Sequence, residues 1–117
     1  MAYDPDNVFA RILRGEVPSD RVYEDDEFVA FRDITPLAPA HVVLIPRGQP
    51  PGSPAELSEE DAAWVGRMVL AATRIAAREG LAGAGYRLVM NSGPDAGQAV
   101  DHIHMHIVGG GQLGPLA

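Results

Sequence analysis

Apolar and polar positions change their period along this chain, and each change marks an element. After Asp6-Asn7, Val8, Phe9, Ile12 and Leu13 recur at helical spacing until Gly15, which predicts a short capped helix with one apolar side. Arg21–Glu24 and Phe28–Arg32 read instead as two short strands, joined by Asp25-Asp26-Glu27 in a hairpin. Asp33–Ala40 contains two prolines and forms a turn. His41–Pro46 follows, and its run Val42-Val43-Leu44-Ile45 reads as a central strand covered on both faces. Arg47–Leu57, rich in Pro and Gly, is a surface loop. Ser58 with Asp61 then opens a long helix toward Gly80, with Trp64, Val65, Met68, Val69, Ala72, Ile75 and Ala76 as its apolar stripe. Tyr86–Asn91 is another strand, Ser92–Gly97 a loop, and Val100–Gly109 the last strand. These elements predict one α+β domain over residues 1-117: an antiparallel sheet of about five strands, a short N-terminal helix and a long one.

Composition narrows the chemistry. There is no cysteine, which excludes disulfides and thiolate catalysis. All nine basic residues are arginine, so Schiff-base chemistry and a phosphate-binding lysine are excluded too. A formal net charge of −7 argues against a duplex-binding face, and no nucleic-acid partner is expected. No apolar run reaches membrane-spanning length and no basic-then-apolar segment opens the chain, so a cytoplasmic protein without membrane partners is expected.

The last strand carries the densest chemistry. His102, His104 and His106 alternate with Ile103, Met105 and Ile107. In a strand this puts three imidazoles on one face and three apolar side chains on the other, toward a core. Crowded imidazoles repel when protonated, so most must stay neutral near pH 7. Such a row serves either a metal ion or a nucleophile with orienting partners. A metal would need further ligands, and His41 and the carboxylates stand in no recognisable ligand spacing. A nucleophile needs less. The Ser92–Gln98 loop could add an anion nest of backbone N–H groups beside it.

The row His102-Ile-His104-Met-His106-Ile-Val resembles the signature of the histidine-triad (HIT) superfamily. Phe9–Pro18, Glu24-Asp-Asp, Ala30–Pro36, Ala38–Pro46 and Asn91-Ser-Gly through Gly97-Gln98 are similar to its Hint-like branch. The resemblance implies a homodimer with a sheet continued across two subunits, and a purine nucleoside monophosphate site on each. It makes His104 the nucleophile, His102 the source of a carbonyl that holds it, and His106 and His41 the polar network at the phosphate. Asp33 would bind the ribose, with Val8, Phe9, Ile12, Phe31 and Ile34 around the base. Asn91, Gln98 and the backbone from Gly97 to Ala99 would face ribose and phosphate. The implied reaction is cleavage of the P–N bond of purine nucleoside 5′-phosphoramidates through a nucleotidyl-histidine, with no cofactor and no metal. Dinucleoside polyphosphate hydrolysis, nucleotidyl transfer, and nucleotide binding with weak catalysis are the alternatives, with a zinc protein behind them. The chain departs from the branch twice: Ala99 stands where a hydroxyl residue is usual, and the tail lacks a tryptophan.

Overall fold

The computed structural model describes residues 3–116. Asn7 caps α1 (Val8–Leu13), its side chain accepting the Ala10 N–H at 2.9 Å. Five antiparallel strands follow: β1 (Arg21–Glu24), β2 (Phe28–Arg32), β3 (Ala40–Pro46), β4 (Tyr86–Val89) and β5 (Met105–Gly109). Their order in the sheet is β1-β2-β3-β5-β4, with α2 (Ala62–Arg78) between β3 and β4 in the chain. Asp25 tightens the first hairpin, its Oδ1 accepting from Glu27 and Phe28 N–H at 2.8 and 2.7 Å.

Register divides the sheet into two working faces. Phe31, Val43, His106 and Val89 stand in one row across β2, β3, β5 and β4. One position along, Ala30, Leu44 and Met105 align in a second row, and alternation sends its side chains to the opposite face. On that second face α2 buries Met68, Ala71, Ala72, Ile75 and Ala76 against Phe28, Ala30, Val42, Leu44, Met105 and Ile107. On the first, Phe9 and Ile12 of α1 pack on Val29, Phe31, Val43 and Ile45. That helix covers only the β2–β3 half. His106 and Val108, with Arg87 and Val89, occupy the other half of the same face.

Four boundaries differ from the pattern, the smallest at β3, which opens at Ala40 rather than His41. Ser58 and Asp61 do pair, Ser58 N–H donating to the Asp61 carboxylate at 2.9 Å, but the segment they close is a 3-10 turn (Glu59–Asp61) and the α-helix starts at Ala62. On α2 the buried stripe is rotated, taking in Ala71 and leaving Val69 38% exposed. The strand expected over Val100–Gly109 begins only at Met105, and β4 stops at Val89 instead of Asn91.

Candidate active site

Because β5 starts late, His102 and His104 lie outside the ladder, yet the rings stay neighbours: His104 meets His106 edge-on at 5.1 Å between centroids, and Phe9 packs edge-on against both His102 and His104. Two side-chain bonds and one backbone bond, rather than the ladder, hold residues 98–104. Gln98 Nε2 donates to Gly52 O at 2.6 Å, Ile103 N–H to Pro51 O at 3.0 Å, and His102 Nε2 sits 2.9 Å from Pro46 O. These three bonds tie the segment to the end of β3 and the loop after it. Ile103, Met105 and Ile107 are all buried, as the alternation predicts.

Hydrogen-bond bookkeeping assigns each ring its proton. Carbonyls only accept, so His102 carries hydrogen on Nε2, toward Pro46 O. His104 carries it on Nδ1, which lies 2.7 Å from the His102 carbonyl. The Leu37 N–H donates to His41 Nδ1 at 3.1 Å, so His41 is protonated on Nε2. That Nε2 is 2.9 Å from His106 Nδ1, which must accept, leaving His106 its own N–H at Nε2. Of the four rings, His104 is the one whose Nε2 keeps a bare lone pair.

That ring opens on a cavity of about 330 Å³, bounded by α1, β2 and the loop before β5. Its wall takes in Val8, Phe9, Ile12, Phe31, Asp33, Ile34, Gly97, Ala99, His104 and His106 from the expected set. Phe9 meets His104 edge-on, with ring centroids 4.9 Å apart. Ile34 is 95% exposed and contributes only a rim. Val17, Pro18, Val43 and Val100 also line the space. Val43 enters through the register that aligns it with Phe31 and His106, and Val17 and Pro18 through the path of the chain after α1; the local pattern signals none of the three.

The remaining expected residues lie elsewhere. His102 is buried behind His104. His41 and Asn91 line a neighbouring cavity of about 390 Å³ that shares His106 and Gly97 with the first. Gln98 faces neither: its Oε1 accepts the Gly93 N–H at 2.8 Å, so the side chain braces the loop. The anion nest is reduced as well. A 3-10 turn (Pro94–Ala96) engages the N–H groups of Ala96, Gly97 and Gln98 within the loop. Among the described residues the Ala99 N–H has no such partner.

Asp33 closes the site by ending β2. Its Oδ1 accepts the Thr35 N–H at 2.8 Å, and its Oδ2 lies 3.6 Å from His41 Nε2. Asp33, His41 and His106 thus bring three potential ligand atoms within 4.8 Å of one another, a grouping that residue spacing did not reveal. An ion there would have to break the His41–His106 hydrogen bond.

Burial sets the charge state. It pushes His102 down to about 4, and burial with the neighbouring imidazoles of His104 and His41 takes His106 to about 4. His104 is lowered as well, chiefly by burial, against the opposing pull of its bond to His102 O. These rings are neutral at pH 7. Because the folded values lie below the unfolded value of about 6.5, the unfolded chain takes up protons first as pH falls. Stability is therefore full above pH 6.5 and lost as pH drops toward 4, with His102 alone contributing about 3 kcal/mol of that loss. The urea midpoint should fall steeply between pH 7 and pH 4.5, although acid also relieves the negative net charge. A flat midpoint would show that the buried rings do not control acid stability.

Comparison with known proteins joins this geometry to a family. The HIT domain model matches residues 14–113. A purine nucleoside phosphoramidase of Escherichia coli (strain K12) is 48% identical over 111 residues, covering 95% of this chain and 92% of the relative. A 14 kDa zinc-binding protein of Brassica juncea is 43% identical, covering 92% of this chain and 96% of the relative. A histidine triad protein structure from Clostridium difficile superposes with a TM-score of 0.90 at 34% identity, over 99% of this chain and 100% of that one. With the family model spanning most of the sequence and the fold reproduced end to end, the chain belongs to the HIT domain family.

Proposed function

We propose that this chain is a hydrolase that cleaves the P–N bond of purine nucleoside 5′-phosphoramidates through a nucleotidyl-histidine on His104. The observation that carries the reading is the bare Nε2 of His104, set by the His102 carbonyl at the wall of a cavity large enough for a nucleoside. Phe9, Ile12 and Phe31 offer apolar surface to a base, and Asp33 offers a carboxylate to ribose hydroxyls. His104 Nε2 attacks the α-phosphorus as the P–N bond breaks, and the departing nitrogen takes a proton from solvent to leave as the amine, a proton that the hydrolysis step returns. His106 and Ala99 line the same cavity, and the His106 Nε2–H and Ala99 N–H are the donors this reading assigns to the transferring phosphoryl group. Water then releases the mononucleotide and restores the neutral imidazole. The identity of the E. coli relative supports the substrate class. A brief pulse of adenosine 5′-phosphoramidate, quenched in denaturant at alkaline pH where a P–N adduct survives, should show by mass spectrometry a nucleotidyl adduct on the tryptic peptide holding His104. Steady turnover with no adduct at any time would remove the covalent step.

A metal-dependent reading has one observation in its favour, the Asp33–His41–His106 cluster. Under the covalent route the phosphate charge is met by N–H donors, so saturating chelator leaves kcat unchanged. Activity lost to chelator and restored by stoichiometric zinc would favour an ion-activated water instead.

The same reading includes a homodimer. β4 is an edge strand with one side unpaired, and Leu70 on the outer face of α2 is 58% exposed. Light scattering should give twice the 12.4 kDa chain mass.

A further inference from the structure

We infer that Tyr3 is a positioning residue for the nucleophile, acting through His102. Tyr3 belongs to the segment before α1 and has no part in the cavity that holds His104. Its hydroxyl lies 2.7 Å from His102 Nδ1, and its ring meets the His102 ring edge-on at 5.6 Å between centroids.

The direction of that bond is fixed by its surroundings. His102 is fully buried, and Pro46 O, which has no proton to give, takes its Nε2–H. Nδ1 is therefore an acceptor, and the Tyr3 hydroxyl must donate to it. No buried side-chain nitrogen or oxygen among the described residues lacks a partner, so this bond satisfies what would otherwise be a bare buried acceptor. Phe9, 6.0 Å from His102 and 4.9 Å from His104 between centroids, closes the same pocket of rings.

The link to chemistry runs through the backbone. His102 lies in the irregular stretch before β5, where no strand ladder fixes the carbonyl that receives His104 Nδ1–H. The same peptide is pinned at its other end by Ile103 N–H donating to Pro51 O at 3.0 Å, and the ring of His102, held at one nitrogen by Pro46 O and at the other by Tyr3, adds the second constraint that sets the carbonyl's tilt. With the carbonyl fixed, His104 keeps Nδ1–H and points its lone pair at phosphorus. When the carbonyl drifts, the ring turns or exchanges tautomer, and attack falters while the base and ribose contacts persist. The inference rests on His104 as the nucleophile.

Tyr3→Phe in the full chain tests it, since the ring is retained and only the hydroxyl is removed. Two measurements separate this link from the proposed reaction. In protein labelled with ¹⁵N-histidine and free of substrate, wild type should show His102 protonated at Nε2 and His104 at Nδ1. Tyr3→Phe should move His102 Nδ1 toward the shift of an unbonded ring nitrogen and give His104 a mixture of tautomers. With 3-fluorotyrosine at position 3, a stronger donor, the His102 Nδ1 shift should move the opposite way, which guards against a poorly folded Phe variant. In turnover, Tyr3→Phe should lower kcat about tenfold with KM within about twofold. Unchanged His104 signals would overturn the linkage whatever the reaction. Altered signals with unchanged kcat would overturn the positioning role. The adduct measurement on wild type independently judges the proposed reaction, so its failure is distinct from either result.

Discussion

His104→Gly should lower turnover about 10³- to 10⁴-fold while AMP binds within a few-fold of wild type. The loss corresponds to roughly 4–6 kcal/mol of barrier, at about 1.4 kcal/mol per factor of ten. Binding survives because Phe9, Ile12, Phe31 and Asp33 line the cavity from other elements and keep their own support. The variant leaves a ring-sized hole beside Phe9, with the His102 carbonyl at its back. Free imidazole should therefore restore part of the activity, because it can enter the hole, donate to that carbonyl and attack with its other nitrogen. Calorimetric titration with AMP and single-turnover kinetics read the two effects separately. A variant that keeps more than a few per cent of wild-type kcat would end the assignment of His104 as nucleophile.

The opposite change is expected at Ala99. Its methyl lines the cavity wall together with His104 and His106. A serine there could donate to a phosphoryl oxygen or to the departing nitrogen as charge develops, which alanine cannot do. A charge-assisted hydrogen bond is worth about 1.5–3 kcal/mol, so Ala99→Ser should raise kcat/KM about tenfold to a hundredfold for alkylamine phosphoramidates. Substrates with good leaving groups need less help and should gain little. AMP affinity should be unmoved, since the backbone N–H of residue 99 is present in both proteins. The measurement compares two substrates that share the nucleotide and differ only in the amine. Equal gains on both, or none, would show that water or another side chain already fills the position.

The sequence carried the elements further than it carried the site. β1 and β2 have their expected bounds because the acidic turn between them and the strand lengths agree. Asn7 was legible as a cap because its side chain acts locally. The histidine strand was overextended because a period of two shows only that a segment is extended, and says nothing of where its partner ends. Here β3 ends at Pro46, a residue with no N–H to offer a ladder, and its carbonyl goes to a histidine ring instead. Gln98 shows the same limit. The family resemblance implied that it faces ribose and phosphate, whereas its amide is spent joining Gly93, Gly52 and Val100. The proximity of Asp33, His41 and His106 depends on a turn and on β3–β5 pairing, neither of which appears in residue spacing. Tyr3 lies outside every periodic segment, so only the structure brings it to His102.

The placement of β5 between β3 and β4 also bears on how activity is acquired. β3 and β5 are neighbours in the sheet, yet everything from Arg47 to His104, including α2, lies between them in the chain. Closing that span is the entropically demanding step of assembly, whereas the β1–β2–β3 meander and α2 rest on contacts close in sequence. His41 meets His106 only once the span has closed, and His102 reaches Pro46 across nearly the same separation. A partly folded chain that holds the meander and the long helix therefore has no catalytic centre. During refolding, enzymatic activity should return with the last kinetic phase rather than with the early gain of secondary structure.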